Sequence, residues 1–377
     1  MRKQNIVLVG FHGCGKKRFG RELAKISGLP FAALDEETSY LLGENSFDFV
    51  NKYGWQVFRE LEQRVVHDFS RNFSGVLATA TTCIENSKNL DNLKKTGLFV
   101  FLNPDFDEVK KGLIQRSKNL PFMRLNDTVP LDQELEEMYR QRKNIYQAVA
   151  DIEVNPDMNG DPREEAKKIL RQIAQIGVRN LPMRPEKKKV AIFCDTHVPE
   201  LEEMKYLMDR GRIPHVDFTL FVTNKPCTKM EVKAKNLAFN EVRVRGLGKH
   251  EEHADMSRDL LQIMKENEPD AVVLKSWNYE FCDLFRQQFG QTTYMSHPVV
   301  ELGKFDKIPK DELFIKILEE NEKYAGCTIQ RMQGMSGDRE NVLQRKILIH
   351  ESHTPDTLHL SVARQVALGF CELLERR

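Results

Sequence analysis

The stretch from Asn5 to Gly20, NIVLVGFHGCGKKRFG, decides how the first half of this chain is read. Four aliphatic residues, Ile6 to Val9, predict a short buried strand, and three glycines at Gly10, Gly13 and Gly15 follow at once. Gly10 to Lys16 fits G-x-x-x-x-G-K, and KKRFGRELAKISG continues as a helical pattern, so the motif has the strand before it and the helix after it that it needs. Backbone N–H groups of such a loop, aided by the helix N-terminus, wrap a phosphate, and Lys16 reaches it as a point charge. The next residue is Lys17, where this kind of loop carries a Ser or Thr whose hydroxyl holds Mg²⁺.

Outward from the loop, short apolar runs recur between longer amphipathic segments: GVLATA (75–80), LFVFLN (98–103), KVAIFCD (189–195), FTLFVTN (218–224) and AVVLKS (271–276). Alternation of this kind predicts an α/β protein with parallel sheets and crossover helices. The pattern restarts once, after VRNLPMRPEKKK (178–189), whose prolines and lysine run have linker composition. The expected organisation is a first domain over 1–177, a linker at 178–187 and a second domain over 188–377.

Composition narrows the partners. Fifty-seven Lys and Arg against 56 Asp and Glu leave a net charge of +1, which supplies no basic field for nucleic acid. No run approaches the roughly 18 apolar residues of a membrane span. Seven cysteines without a CxxC pair predict reduced thiols, no structural zinc and a cytoplasmic protein. The histidine-rich HESHTPDTLH (350–359) matches no zinc spacing, and Asp356 is expected to cap the last helix. No metal site is expected anywhere.

The loop together with GLPFAALDEET, GWQVFRELEQRVV, GVLATATT and RQRKNIYQAVADIEV resembles the shikimate kinase family across roughly residues 1–175. The resemblance implies a three-layer P-loop kinase-like domain that binds ATP at Gly10, Gly13, Gly15, Lys16 and Lys17, with Arg116 on the adenine side. It implies Asp35, Arg59 and Arg142 as contacts to the hydroxyls and carboxylate of a shikimate-like acid. Two arginines fork onto a carboxylate and an aspartate accepts from hydroxyls, so the residue types suit that ligand. Arg59 has a second expected partner in Glu62, three residues on along one helix face.

Four departures fall on the catalytic parts. Lys17 replaces the metal-binding hydroxyl, Ala33 stands for the first aspartate of the family's D-x-D, Ala80-Thr81-Thr82 stands for its glycine turn, and Leu120-Pro121 for its lid Arg-Pro. Phosphoryl transfer rests on positioning and charge neutralisation, so these losses disfavour Mg²⁺ and predict little turnover. Lys17 and Arg18 are expected to supply the missing positive charge.

In the second half, EPDAVVLKSW, YMSHPVVELGK, GCTIQRM, SGDRENVLQRKI and HTPDTLHLSVARQVALGFCELL resemble, more distantly, the Rossmann-like formyltransferase fold of glycinamide ribonucleotide transformylase and methionyl-tRNA formyltransferase. That resemblance implies His297 as catalytic imidazole and Asp338, beside Gly337 at the matching position, as carboxylate. Met295 falls where the family has a hydrogen-bonding asparagine, and Asp195-Thr196-His197-Val198 where it has a phosphate loop, which disfavours a reduced folate. An isolated His297 also fits a hydrogen-bonded structural histidine.

Three readings follow. The first is a nucleotide- or phosphate-binding pseudoenzyme built on two eroded folds. The expected ligand is a nucleotide or a small phosphorylated or carboxylated molecule; the second reading is an active ATP-dependent kinase of a shikimate-like polyol acid, and the third a formyl or other one-carbon transferase. Fusion of two such folds hints at a protein partner, which the sequence does not identify.

Overall fold

The computed structural model describes residues 5–42, 46–116, 128–176, 186–194, 199–223, 241–244, 253–275, 281–300, 305, 308–333, 338–349 and 353–375. They form two compact units, Met1–Pro185 with Arg210–Pro214, and Glu186–Asp209 with His215–Arg377. Most of the linker expected at 178–187 lies outside the described residues.

The first unit is a five-stranded, all-parallel sheet. Its strands are β1 (Asn5–Val9), β2 (Phe31–Ala33), β3 (Val76–Ala78), β4 (Gly97–Leu102) and β5 (Ile152–Val154), in the order β2-β3-β1-β4-β5. The register places Ile6 beside Val76 and Leu98, and Leu8 beside Ala78 and Val100. Both faces of β1 are buried, which is why it reads as a continuous apolar run and not as an alternation.

Ile6, Leu8, Leu98 and Val100 pack against Phe19 and Leu23 of α1 (Lys16–Ser27) and Ile169 and Ile173 of α7 (Pro162–Gln175). On the other face, Val7, Val9, Phe99 and Phe101 meet Val66 and Phe69 of α3 (Ser46–Asn72), Leu113 of α5 (Phe106–Arg116), and Leu135 and Tyr146 of α6 (Leu131–Val149). Each fully buried apolar side chain contributes about 1.5–3 kcal/mol relative to exposure, so the two faces together fix the three layers. Two shorter helices, α2 (Leu34–Leu42) and α4 (Ser87–Thr96), complete the unit's described helices.

The second unit is a seven-stranded sheet ordered β12-β11-β10-β9-β6-β7-β8, formed by Lys188–Cys194, Val216–Thr223, Glu241–Val244, Ala271–Lys275, Thr293–His297, Tyr324–Met332 and Arg339–Leu348 as β6 to β12. It is not wholly parallel, as the sequence pattern predicted: β11 runs antiparallel to β10 and to β12. Only a few residues separate β11 from β12, too few for the crossover that parallel neighbours require. Its described helices are α8 (Pro199–Asp209), α9 (His253–Asn267), α10 (Asp283–Phe289), α11 (Lys310–Glu319) and α12 (Pro355–Glu375).

The last helix begins two residues earlier than expected. Pro355 occupies its first position and Thr354 caps it: Thr357 N donates to Thr354 Oγ1 at 3.3 Å, and Thr354 N donates to Thr357 Oγ1 at 2.8 Å. Asp356 is therefore inside the first turn and not the cap, because Pro at the first helical position fixes the start. Among the described residues, no helix is long and apolar enough to cross a membrane.

Candidate functional site

All five strands of the first sheet point their carboxyl ends to one edge, and the loop after central β1 opens there. The glycine loop is held by geometry that only glycine accommodates. Gly15 has φ 88° and an added Cβ would lie 2.4 Å from the Phe19 ring, while Gly10 has φ 149° with an added Cβ 2.6 Å from the Leu102 carbonyl oxygen. Lys16, almost fully buried, donates from Nζ to Gly10 O at 2.7 Å and to Phe11 O at 2.8 Å. These bonds brace the loop from inside and keep the ammonium within it.

Lys17 points elsewhere. Its Nζ donates to Asp35 Oδ2 at 3.0 Å and lies 3.3 Å from Glu36 Oε1, both in the first turn of α2. Burial works against its charge, but the Asp35 and Glu36 carboxylates outweigh that and hold its pKa above the ordinary lysine value. Arg18 does not join it, contrary to the expectation that both supply charge at the loop. Its guanidinium donates to Met158 O at 2.6 Å and Gly160 O at 2.7 Å and clamps the segment between β5 and α7.

The acceptor side is assembled from α3, α6 and the turn after β3. Arg59 NH1 donates to Glu62 Oε2 at 2.8 Å and also to Thr82 Oγ1 at 2.9 Å, and its guanidinium carbon lies 5.3 Å from the Trp55 ring centroid. The expected Glu62 partnership thus holds, and a hydroxyl of Ala80-Thr81-Thr82 adds a second contact. Burial raises the Glu62 carboxyl above its usual range; Arg59 opposes this, while Glu85 and Asp35 reinforce it. Arg142 Nε donates to Glu85 Oε1 at 2.7 Å, and its buried NH1 has no hydrogen-bond partner among the described residues. Tyr146 donates to Thr81 O at 3.1 Å.

His12, inside the loop, links the two sides. Burial, then the positive charges of Lys16 and Arg142, push its imidazole down to about 3 against the opposing pull of Asp35. Its field is therefore set by the loop lysine, an α6 arginine and an α2 aspartate, residues up to 130 positions away in sequence. Sequence reasoning missed His12, Glu85 and Thr82. Only His12 carried a signal, a titratable residue between two loop glycines. Arg116 ends α5, exposed, and donates to its own Gly112 O at 2.9 Å; the lid residues Leu120 and Pro121 lie outside the described residues.

In the second unit His297 Nε2 lies 3.0 Å from Gln330 Oε1, and Gln330 Nε2 donates to Asn341 Oδ1 at 2.8 Å. His297 pairs across the sheet with Thr328, whereas the Asp338 carbonyl accepts from Gln333 N at 2.7 Å. Met295 packs on the core beside Leu274 and Phe281. Gly337 and the segment 195–198 lie outside the described residues. At the carboxyl end of β9 a buried charge is paired: Lys275 Nζ donates to Glu200 Oε1 at 2.7 Å and to Ser296 Oγ at 2.5 Å. Burial pulls the Glu200 carboxyl up, and Lys275 more than reverses it, leaving Glu200 below the usual carboxylate range.

Comparison with known proteins agrees with the loop and its surroundings. A family model described as shikimate kinase matches residues 12–174. The shikimate kinase of Pseudomonas syringae pv. tomato is 31% identical over 176 residues, covering 47% of this chain and 99% of that protein. That of Enterococcus faecalis is 27% identical over 172 residues, covering 46% of this chain and 99% of the relative. Through this half, the chain belongs to the shikimate kinase family. Among solved structures, shikimate kinase from Acinetobacter baumannii in complex with shikimate aligns over 46% of this chain and 94% of its own, at 29% identity and a TM-score of 0.42. Glycinamide ribonucleotide transformylase 1 from Symbiobacterium toebii aligns over 52% of this chain and 90% of its own, at 16% identity and a TM-score of 0.42.

Proposed function

We propose that the first unit binds ATP on the loop from Gly10 to Lys16 and a small hydroxylated carboxylic acid at Asp35, Arg59 and Arg142, and that it transfers phosphate poorly. The observation that carries this reading is the Lys17–Asp35 ion pair: the aspartate that would accept from the acid's hydroxyl is held by the residue standing in the metal ligand's place. The binding half is supported by the membership in the shikimate kinase family and by the buried Arg142 NH1, a donor with unused capacity. The second unit keeps an α/β scaffold whose His297 is tied to Gln330 and whose Met295 offers no oxyanion donor, which favours a binding or assembly role over one-carbon transfer.

The test is ADP release with Mg²⁺ and shikimate, run beside ATP calorimetry. The reading expects ATP binding that depends on Lys16 and no acid-dependent ADP release above background. Acid-dependent release that disappears in Lys16→Ala makes the chain an active kinase. That second reading has its own support, the survival of Lys16, Asp35, Arg59, Arg116 and Arg142 in one family-matched unit.

A further inference from the structure

Divalent metal is the group that a phosphate loop of this family implies, and the residues present do not fit it. A loop of the G-x-x-x-x-G-K type presents a Ser or Thr hydroxyl to Mg²⁺, which bridges and neutralises the β- and γ-phosphates. Here the position is Lys17, and an ammonium has no lone pair with which to ligate a cation. The carboxylates nearest to it are already engaged: Asp35 Oδ2 at 3.0 Å and Glu36 Oε1 at 3.3 Å. A metal drawn to them would face the Lys17 charge at contact distance.

What the loop lacks in metal ligands it has in fixed charge. Lys16 is closed on the loop carbonyls, and Arg18 is spent on Met158 O and Gly160 O. Lys17 alone of the three pairs with half-exposed carboxylate, its side chain 46% exposed and that of Asp35 43%. Exposed pairs of this kind contribute only about 0–1 kcal/mol, so they exchange readily for a more highly charged partner. Glu36 keeps an ion pair to Arg21 at 2.7 Å when Lys17 leaves it.

We propose that Lys17 is a built-in cation that replaces the divalent metal, so that this unit binds a nucleoside triphosphate without Mg²⁺ by trading the Lys17–Asp35 ion pair for a Lys17–phosphate one. The proposal rests on the nucleotide reading above and adds to it the charge that the triphosphate meets. It also gives Asp35 a use: once Lys17 turns to phosphate, the carboxylate is released to accept from a hydroxylated acid, so nucleotide and acid bind with positive coupling.

The experiment is calorimetric titration of ATP into the full chain, in excess EDTA and in excess Mg²⁺, for wild type, Lys17→Met and Lys17→Thr, each first checked for a native thermal melt. Wild type is expected to bind with affinities within about threefold in the two conditions, since the ion's contribution is already supplied. Lys17→Met is expected to lose about tenfold or more in EDTA, the scale of one charge-assisted hydrogen bond. Lys17→Thr, with the hydroxyl restored, is expected to bind well only with Mg²⁺. Wild-type binding tenfold or more tighter with Mg²⁺, or Lys17→Met binding like wild type in EDTA, overturns the proposal and leaves the nucleotide site standing. Absence of ATP binding to wild type in both conditions removes the nucleotide reading itself, and the proposal with it.

Discussion

The two units treat the same chemistry, a lysine beside a glutamate or aspartate at the carboxyl edge of a sheet, in opposite ways. In the first unit Lys17 and Asp35 meet with nearly half of each side chain in solvent. In the second, Lys275 and Glu200 meet at 2.7 Å with only 6% and 8% exposed, and Ser296 Oγ accepts a further hydrogen bond from Lys275. An exposed pair is cheap to break and so remains available to a ligand. A buried pair has surrendered its hydration, and removing either partner strands the other. By that measure the first unit keeps an exchangeable charge pair at this edge, whereas the second has turned comparable charges into part of its packing.

The largest effect is expected where the comparison is sharpest. Lys275→Met leaves Glu200 buried and uncompensated and is expected to destabilise the second unit by about 3–5 kcal/mol, while Lys275→Met with Glu200→Leu recovers most of the loss. Denaturant unfolding of the three proteins measures it, and a single variant as stable as wild type would show the pair to be dispensable. Lys16→Ala comes next, with a ten- to hundredfold loss of ATP affinity by calorimetry, about 1.5–3 kcal/mol for a bond to a charged group.

A third expectation concerns His12. Its folded pKa of about 3 lies below the ordinary 6.5, so the unfolded chain binds the proton more readily. His12 therefore adds stability above about pH 6.5, and that contribution drains away as pH falls from 6.5 toward 3. The stability–pH curve of His12→Gln should be flatter than wild type across that window, and parallel curves would show that the folded surroundings do not hold the imidazole pKa down. The smallest effect is expected for Lys17→Met on folding alone: at most about 1 kcal/mol, as for other exposed pairs. A loss as large as that of Lys275→Met would erase the contrast between the units.

Much of the fold was legible because it is written in short range. The apolar runs at 5–10, 75–80, 98–103, 189–195, 218–224 and 271–276 each overlap a strand. The brief strands Phe31–Ala33 and Ile152–Val154 gave no comparable signal, since three residues cannot establish a period. The antiparallel edge of the second sheet was equally silent, because strand direction depends on which neighbour a strand finds. In the site, Asp35, Arg59 and Arg142 were named through family resemblance, and Glu62 through its spacing from Arg59.

By itself the sequence determined the strand, glycine loop and helix around Lys16, the α/β class of both halves, and the presence of a lysine where a metal ligand is expected. These depend on backbone conformation and on spacing along a single element. Only the tertiary structure decided that Lys17 turns to Asp35 while Arg18 turns away, that His12 lies in the joint field of Lys16, Arg142 and Asp35, and that Lys275 is sealed against Glu200, 75 residues distant. Charge is a property of the residue, but its partner and its exposure are set by which distant elements pack together, and those decide whether an ion pair serves a ligand or the fold.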